Sequence, residues 1–78
     1  MNVEEKLSLI ERALDTERGA LKPETKLSDL VEWDSLGVVS LIAMLDKHFS
    51  VRLHPDTIRA LVTVEDILAR MEERVEKQ

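Results

Sequence analysis

Apolar residues recur at helical spacing in three stretches of this chain, and a proline marks a fourth, short helix. Val3, Leu7, Ile10 and Leu14 stand at i, i+4, i+7 and i+11, the stripe of a helix over about Val3 to Asp15. Asn2 is positioned as its N-cap, and Glu5 three residues on completes a capping-box spacing with Asn in the Ser/Thr place. Gly19, a few residues beyond, reads as the stop signal. Val38, Leu41, Ile42, Leu45 and Phe49 form the strongest stripe, predicting a second helix from Ser35 or Leu36 to Phe49. A short third helix follows His54-Pro55, from about Asp56 to Leu61, because proline is tolerated in a first turn. The fourth starts at Thr63, where Thr63 and Asp66 approximate a capping box, and Val64, Leu68, Met71 and Val75 repeat the stripe. Arg70, Arg74 and Lys77 lie toward its C-terminal end, where the helix dipole favours cations.

Residues 16–34 are a long connection with a turn signal at Lys22-Pro23-Glu24-Thr25. So long a loop in so small a protein carries its own packing or a function. Leu21, Leu27, Leu30 and Val31 are expected to pin it to the core, with Ser28-Asp29-Leu30 as a single turn. No strand alternation competes; Val51 to Leu53 is the one short extended stretch and reads as loop. The expected product is an all-α fold, a small four-helix bundle with a long loop between helices 1 and 2 and a short third helix. At 78 residues it forms a single domain, 1–78.

Composition narrows the function. The absence of cysteine excludes a disulfide framework, a Cys-ligated metal and a thiol nucleophile within the chain itself. The longest apolar run, Leu41 to Leu45, is far short of the ~20 residues that span a bilayer. The N-terminus shows no basic segment leading into an apolar one, so a cytoplasmic protein without membrane insertion is expected. Glu4, Glu5 and Glu11 on the polar face of helix 1 argue against a membrane-surface helix, which is rich in Lys and Arg. The net charge is −5, with one Trp, one Phe and no Tyr. Nucleic acid is therefore not expected as a partner, and a basic protein surface suits the chain better. The run Glu72 to Gln78 reads as a solvated, fraying end.

The chemically informative segment is Trp33-Asp34-Ser35-Leu36-Gly37, which ends the long loop and opens the most apolar helix. A serine there meets unpaired backbone N–H groups and the positive end of the helix dipole, which favour an attached phosphate. A neighbouring carboxylate suits a divalent cation or a partner's docking. The plain alternative is that Asp34 or Ser35 simply caps the helix. His48 and His54, six residues apart, do not share a helical face, and no metal site is expected. Asp34, Ser35 and His48 supply the residue types of a hydrolase triad, but the Gly-x-Ser-x-Gly elbow is missing and an enzyme is not expected.

Asp34-Ser35-Leu36 followed by the apolar helix to Phe49 resembles the acyl carrier protein family. The similarity covers most of the chain: the amphipathic first helix, the loop with Leu27 and Leu30, and the Thr63-Val64 helix start fall where that family has them. The resemblance implies that a phosphopantetheinyl transferase modifies Ser35 with the 4'-phosphopantetheine arm of coenzyme A, and that Asp34 assists transferase or metal docking. The arm's thiol would carry acyl groups as thioesters to acyl-transferring, condensing or ligase enzymes in fatty-acid, lipid or polyketide-type biosynthesis. The carrier would be a monomer that does no bond chemistry of its own. By the helical wheel, Leu36, Val39, Ala43 and Lys47 form the exposed face that partners touch. By analogy with the family, Val38, Leu41, Ile42, Leu45, Leu53, Ile58 and Leu61 are candidates to line an acyl chain, although apolar stripes usually make plain core.

Two departures stand out. Residues 35–50 hold one acid, Asp46, and one base, Lys47, and Gly37 and Ser40 stand where housekeeping fatty-acid carriers typically show carboxylates. The acidity sits instead in residues 1–34, with 9 acids against 5 bases. Val31-Glu32-Trp33 replaces a shorter Gly-containing stretch, and Trp33 either packs the loop or meets partners. These differences imply a specialised, free-standing carrier. Gly37 is also similar to the D-alanyl carrier subgroup, so an aminoacyl carrier stays open, as does an unmodified helical interaction module.

Overall fold

Four helices and one short 3-10 turn account for the regular structure in the computed structural model, which describes residues 2–72. α1 is Val3–Leu14, α2 Ser35–Phe49, α3 Pro55–Arg59 and α4 Val64–Glu72; the 3-10 turn is Leu27–Asp29. The expected helical bundle forms, with α1 packed on α2, α3 on α2 and α4 on α1. No helix among the described residues is long and apolar enough to cross a membrane. Val75, Arg74, Lys77 and the end of the run to Gln78 lie outside the described residues.

The start of α1 follows from its capping box. Asn2 Oδ1 accepts the Glu5 N–H at 2.8 Å, and Glu5 Oε1 accepts the Asn2 N–H at 3.1 Å. Its end does not follow from Gly19. Asp15 takes the left-handed conformation at φ 61°, its N–H bonding to Arg12 O at 3.3 Å and the Thr16 N–H to Glu11 O at 2.9 Å. That is a Schellman closure, which tolerates Asp where Gly is usual. Gly19 lies in the loop at φ 81°. α2 also ends on a left-handed residue that is not glycine, Ser50 at φ 57°, but there the Ser50 N–H bonds to Asp46 O at 3.1 Å, the simpler αL closure.

Ile10, Leu14, Leu41, Leu45, Ile58 and Ile67 form the centre of the core. Leu21 and Leu27 pin the long loop as expected, and Leu30 packs against the core from its edge. Val31 does not: it is 86% exposed. The reason lies in its neighbours. The Trp33 N–H bonds back to Leu30 O at 3.1 Å, and the resulting turn carries Trp33, not Val31, against the core. Met44 is buried although the stripe on α2 did not include it. α3 begins at Pro55 rather than Asp56 because His54 serves as its N-cap, Nδ1 accepting the Asp56 N–H at 3.1 Å.

Two polar devices hold the loop that periodicity does not reveal. Glu11 is on the buried side of α1, 5% exposed, and its Oε2 accepts the N–H groups of Gly19 at 3.0 Å and Leu21 at 3.2 Å. Further on, Lys26 pairs with Thr63 in an antiparallel bridge. Leu27 N–H to Val62 O and Val64 N–H to Thr25 O, both 2.9 Å, flank it. The loop is thereby stitched to the start of α4. There Asp66 Oδ2 accepts the N–H groups of Val62 at 2.9 Å and Thr63 at 3.1 Å, the carboxylate half of the expected capping box.

Replacing Glu11 removes the acceptor for two loop amides. Glu11→Ala should cost about 1–3 kcal/mol in urea unfolding, with Glu11→Gln losing less because its amide oxygen still accepts. The Val62 and Thr63 amides, Val62 first, hold the Asp66 carboxyl below the ordinary aspartate range. A depressed carboxyl stabilises the fold above its unfolded-state value, and the gain is lost as pH falls through the folded-state value. Asp66→Ala should therefore unfold at lower urea than the parent at neutral pH, and the gap between the two should close on acidification.

Candidate functional site

The long loop is delivered to α2 by a tight turn. The Asp34 N–H bonds to Glu32 O at 2.9 Å, leaving Asp34 extended at φ −123° and ψ −169°. Its carboxylate Oδ1 accepts the Gly37 N–H at 2.9 Å, and its carbonyl accepts the Val38 N–H at 2.9 Å as the first helical bond. Asp34 is thus the N-cap and Ser35 the first residue of the helix proper. The choice between the two as cap is settled, and it leaves the Ser35 hydroxyl with no capping duty. Ser35 is exposed. The amides of Ser35 and Leu36 belong to the first turn, which has no intrahelical acceptor, and they sit at the positive end of the α2 dipole.

Gly37 is what allows this turn to close. It is buried, and a Cβ built on it would run into the backbone carbonyl oxygen of Glu32 and lie 3.2 Å from Leu14 Cδ2. Gly37 is therefore no surface position that has given up a charge: the loop backbone occupies the space where a side chain would be. Ser40, by contrast, is exposed. Alongside the turn, α1, the loop and α2 enclose a hollow of ≈ 240 Å³ whose lining includes Leu14, Asp15, Glu32, Asp34, Leu36 and Ser40.

Leu36, Val39, Ala43 and Lys47 are all exposed, Leu36 at 77% and Val39 at 60%. Val38, Leu41, Leu45 and Ile58 are buried in the core, with Ile42, Leu53 and Leu61 packed at its margin. These seven come together, as one packed core. His48 is exposed on α2, thirteen residues beyond Ser35 or about 20 Å along the axis at 1.5 Å per residue, so no triad assembles. His54 is spent on capping α3. No group of three or more His, Cys, Asp or Glu among the described residues is arranged to hold a metal. The residues that sequence reasoning missed are Glu32 and Leu14, whose contacts fix Gly37. Their only sequence signal is a glycine in the first turn of an otherwise apolar helix.

The chain matches the family described as phosphopantetheine attachment site over residues 7–71. An acyl carrier protein of Helicobacter hepaticus is 28% identical over 65 residues, covering 83% of this chain and 86% of that protein. The solution structure of a holo acyl carrier protein from Geobacter metallireducens has the same fold, with a TM-score of 0.73 at 24% identity. It covers 96% of this chain and 87% of the other.

Gly37→Ala tests the close approach. Alanine would favour the helix by up to ~1 kcal/mol, but overpacking against a backbone carbonyl costs about 1–3 kcal/mol. Urea unfolding should show net destabilisation, and a more stable variant would contradict the packing described.

Proposed function

We infer that this chain, which belongs to the phosphopantetheine attachment site family, carries acyl groups on a 4'-phosphopantetheine arm esterified to the Ser35 hydroxyl oxygen. Its membership of the family rests on the match over residues 7–71. The attachment point is our reading, and one observation carries it: Ser35 is exposed in the first turn of α2 while Asp34, beside it, does the capping. A phosphodiester on Ser35 would lie at the positive end of the α2 dipole, beside first-turn amides that lack helical partners. When bound, the arm supplies the thiol that a chain without cysteine lacks, and so the thioester.

Each residue of the site has a part in this reading. Ser35 Oγ is the acceptor that a phosphopantetheinyl transferase modifies. Asp34 holds the turn through the Gly37 amide and presents its second carboxylate oxygen toward a docking enzyme or its metal. Leu36, Val39, Ala43 and Lys47 present the face met by acyl-transferring, condensing or ligase enzymes of fatty-acid, lipid or polyketide-type synthesis. The bundle is then a rigid tether that raises the local concentration of an acyl group at successive enzymes. Contacts must stay weak enough to release, which suits exposed polar pairs worth about 0.2–1 kcal/mol each.

Incubation with coenzyme A, magnesium and a promiscuous phosphopantetheinyl transferase should add one phosphopantetheine mass to the chain. Ser35→Ala should add none and keep the helical circular dichroism of the parent. An unchanged parent mass beside an active control carrier would overturn the reading in favour of an unmodified interaction module.

A further inference from the structure

α1 and α2 run antiparallel, and the groove between them is charged in opposite senses at its two ends. Two hollows follow one another along it and share Ala13 and Ser40. The one beside Ser35 is lined by the acids Asp15, Glu32 and Asp34 and by no base. The one toward the C-terminal end of α2, ≈ 340 Å³, is lined by Arg12, Lys47 and His48 and by no acid. Both Arg12 and Lys47 are exposed, and none of the ion pairs among the described residues uses either. Asp46, the one acid of α2, is turned to Arg52 at 3.4 Å. Compensation of helix dipoles accounts for Lys47 in the last turn of α2 and Asp34 at its start. Asp15 opposes the α1 dipole, and its left-handed backbone, which Asp tolerates, sets it at the C-terminal end of α1. Between the charged ends lie small side chains, Ala13, Ser40 and Ala43, with apolar Leu36 at the Ser35 end.

We propose that this groove is a polarised docking surface for one segment of a partner enzyme, basic where it meets the Ser35 end and acidic where it meets Arg12 and Lys47. The proposal rests on the carrier reading of Ser35 and adds the chemistry of the partner. A uniformly acidic helix attracts any basic patch in several orientations. Opposite charges at the two ends admit one orientation and oppose the reverse, because like charges would then face each other at both ends. The enzyme's active site is thereby aimed at Ser35. It also explains how a recognition helix of zero net charge can select partners: selection comes from charge order along the α1–α2 groove, to which α1 contributes Arg12 and Asp15.

The probe is a synthetic amphipathic helical peptide with glutamates in its first turn, lysines in its last, Ala and Leu between, and a nitroxide on the glutamate end. Added to the isotope-labelled full chain at low salt, it should broaden the amides of Met44 to His48 more strongly than those of Ser35 to Gly37, Ser35 lying about 18 Å from Lys47 along α2 at 1.5 Å per residue. Arg12→Glu with Lys47→Glu, both exposed positions, should weaken binding about three- to tenfold, and added salt should remove the difference. Stronger broadening at the Ser35 end than at the Lys47 end, equal broadening at both, absence of binding by the parent, or unaltered affinity of the double variant would each overturn the proposal. So would sedimentation showing a two-fold dimer joined through this groove. The transferase mass gain on the same protein reports on Ser35 separately, so failure of either reading is distinguishable from failure of the other.

Discussion

The candidate site depends on a single close approach, that of the Gly37 Cα to the carbonyl of Glu32. The same carbonyl accepts the Asp34 N–H, and the Asp34 carboxylate accepts the N–H of Gly37. Three residues and one backbone oxygen thus form a closed unit around the first turn of α2. Because the cap belongs to Asp34, the hydroxyl at position 35 is left facing water. Backbone proximity, and not any property of the serine, makes that position available.

The rest of the bundle serves to bring the loop to that turn. Nineteen loop residues cannot be ordered by a few leucines alone, since each ordered residue costs about 1–2 kcal/mol of conformational entropy. Leu21 and Leu27 supply burial, while Glu11 and the bridge to Thr63 satisfy backbone amides that burial would otherwise leave unpaired. Those polar ties fix where the loop can go, and Trp33 packs its final turn against the core. Leu14, at the end of α1, then completes the wall against Gly37.

Charge is distributed to suit a surface that is met and released. The ion pairs of Arg52 with Asp46 and of Arg59 with Asp56 are exposed. Such pairs contribute little to stability, and Arg12 and Lys47 in the α1–α2 groove take part in neither. The closed packing of Val38, Leu41, Leu45 and Ile58 meanwhile keeps the carrier rigid. A stiff body loses little conformational entropy when it is bound, which fits the brief visits to successive enzymes proposed for it.

Much of this was legible from residue order. Period-3.6 stripes located three of the four helices and His54-Pro55 the short third, and Asn2 with Glu5 started α1 where the structure starts it, because these signals act within a turn or two of chain. Asp34-Ser35-Leu36 likewise marked the loop-to-helix junction, and the helical wheel placed Leu36, Val39, Ala43 and Lys47 outside. What failed were signals that depend on distant neighbours. Val31 looked like an anchor but is turned outward by the bond from Trp33 to Leu30; Glu11 looked solvated but is buried beneath the loop it holds. Gly37 looked like a missing charge, because nothing in a linear sequence shows that Glu32 lies against it. The sequence by itself determined the helices, the Asn2 cap of α1 and the place of Ser35 at the loop-to-helix junction, while the structure chose Asp34 over Ser35 as the cap of α2. Tertiary structure alone decided which residues share the α1–α2 groove and why a glycine must stand beside the serine, since both are set by contacts across the fold that residue periodicity does not encode.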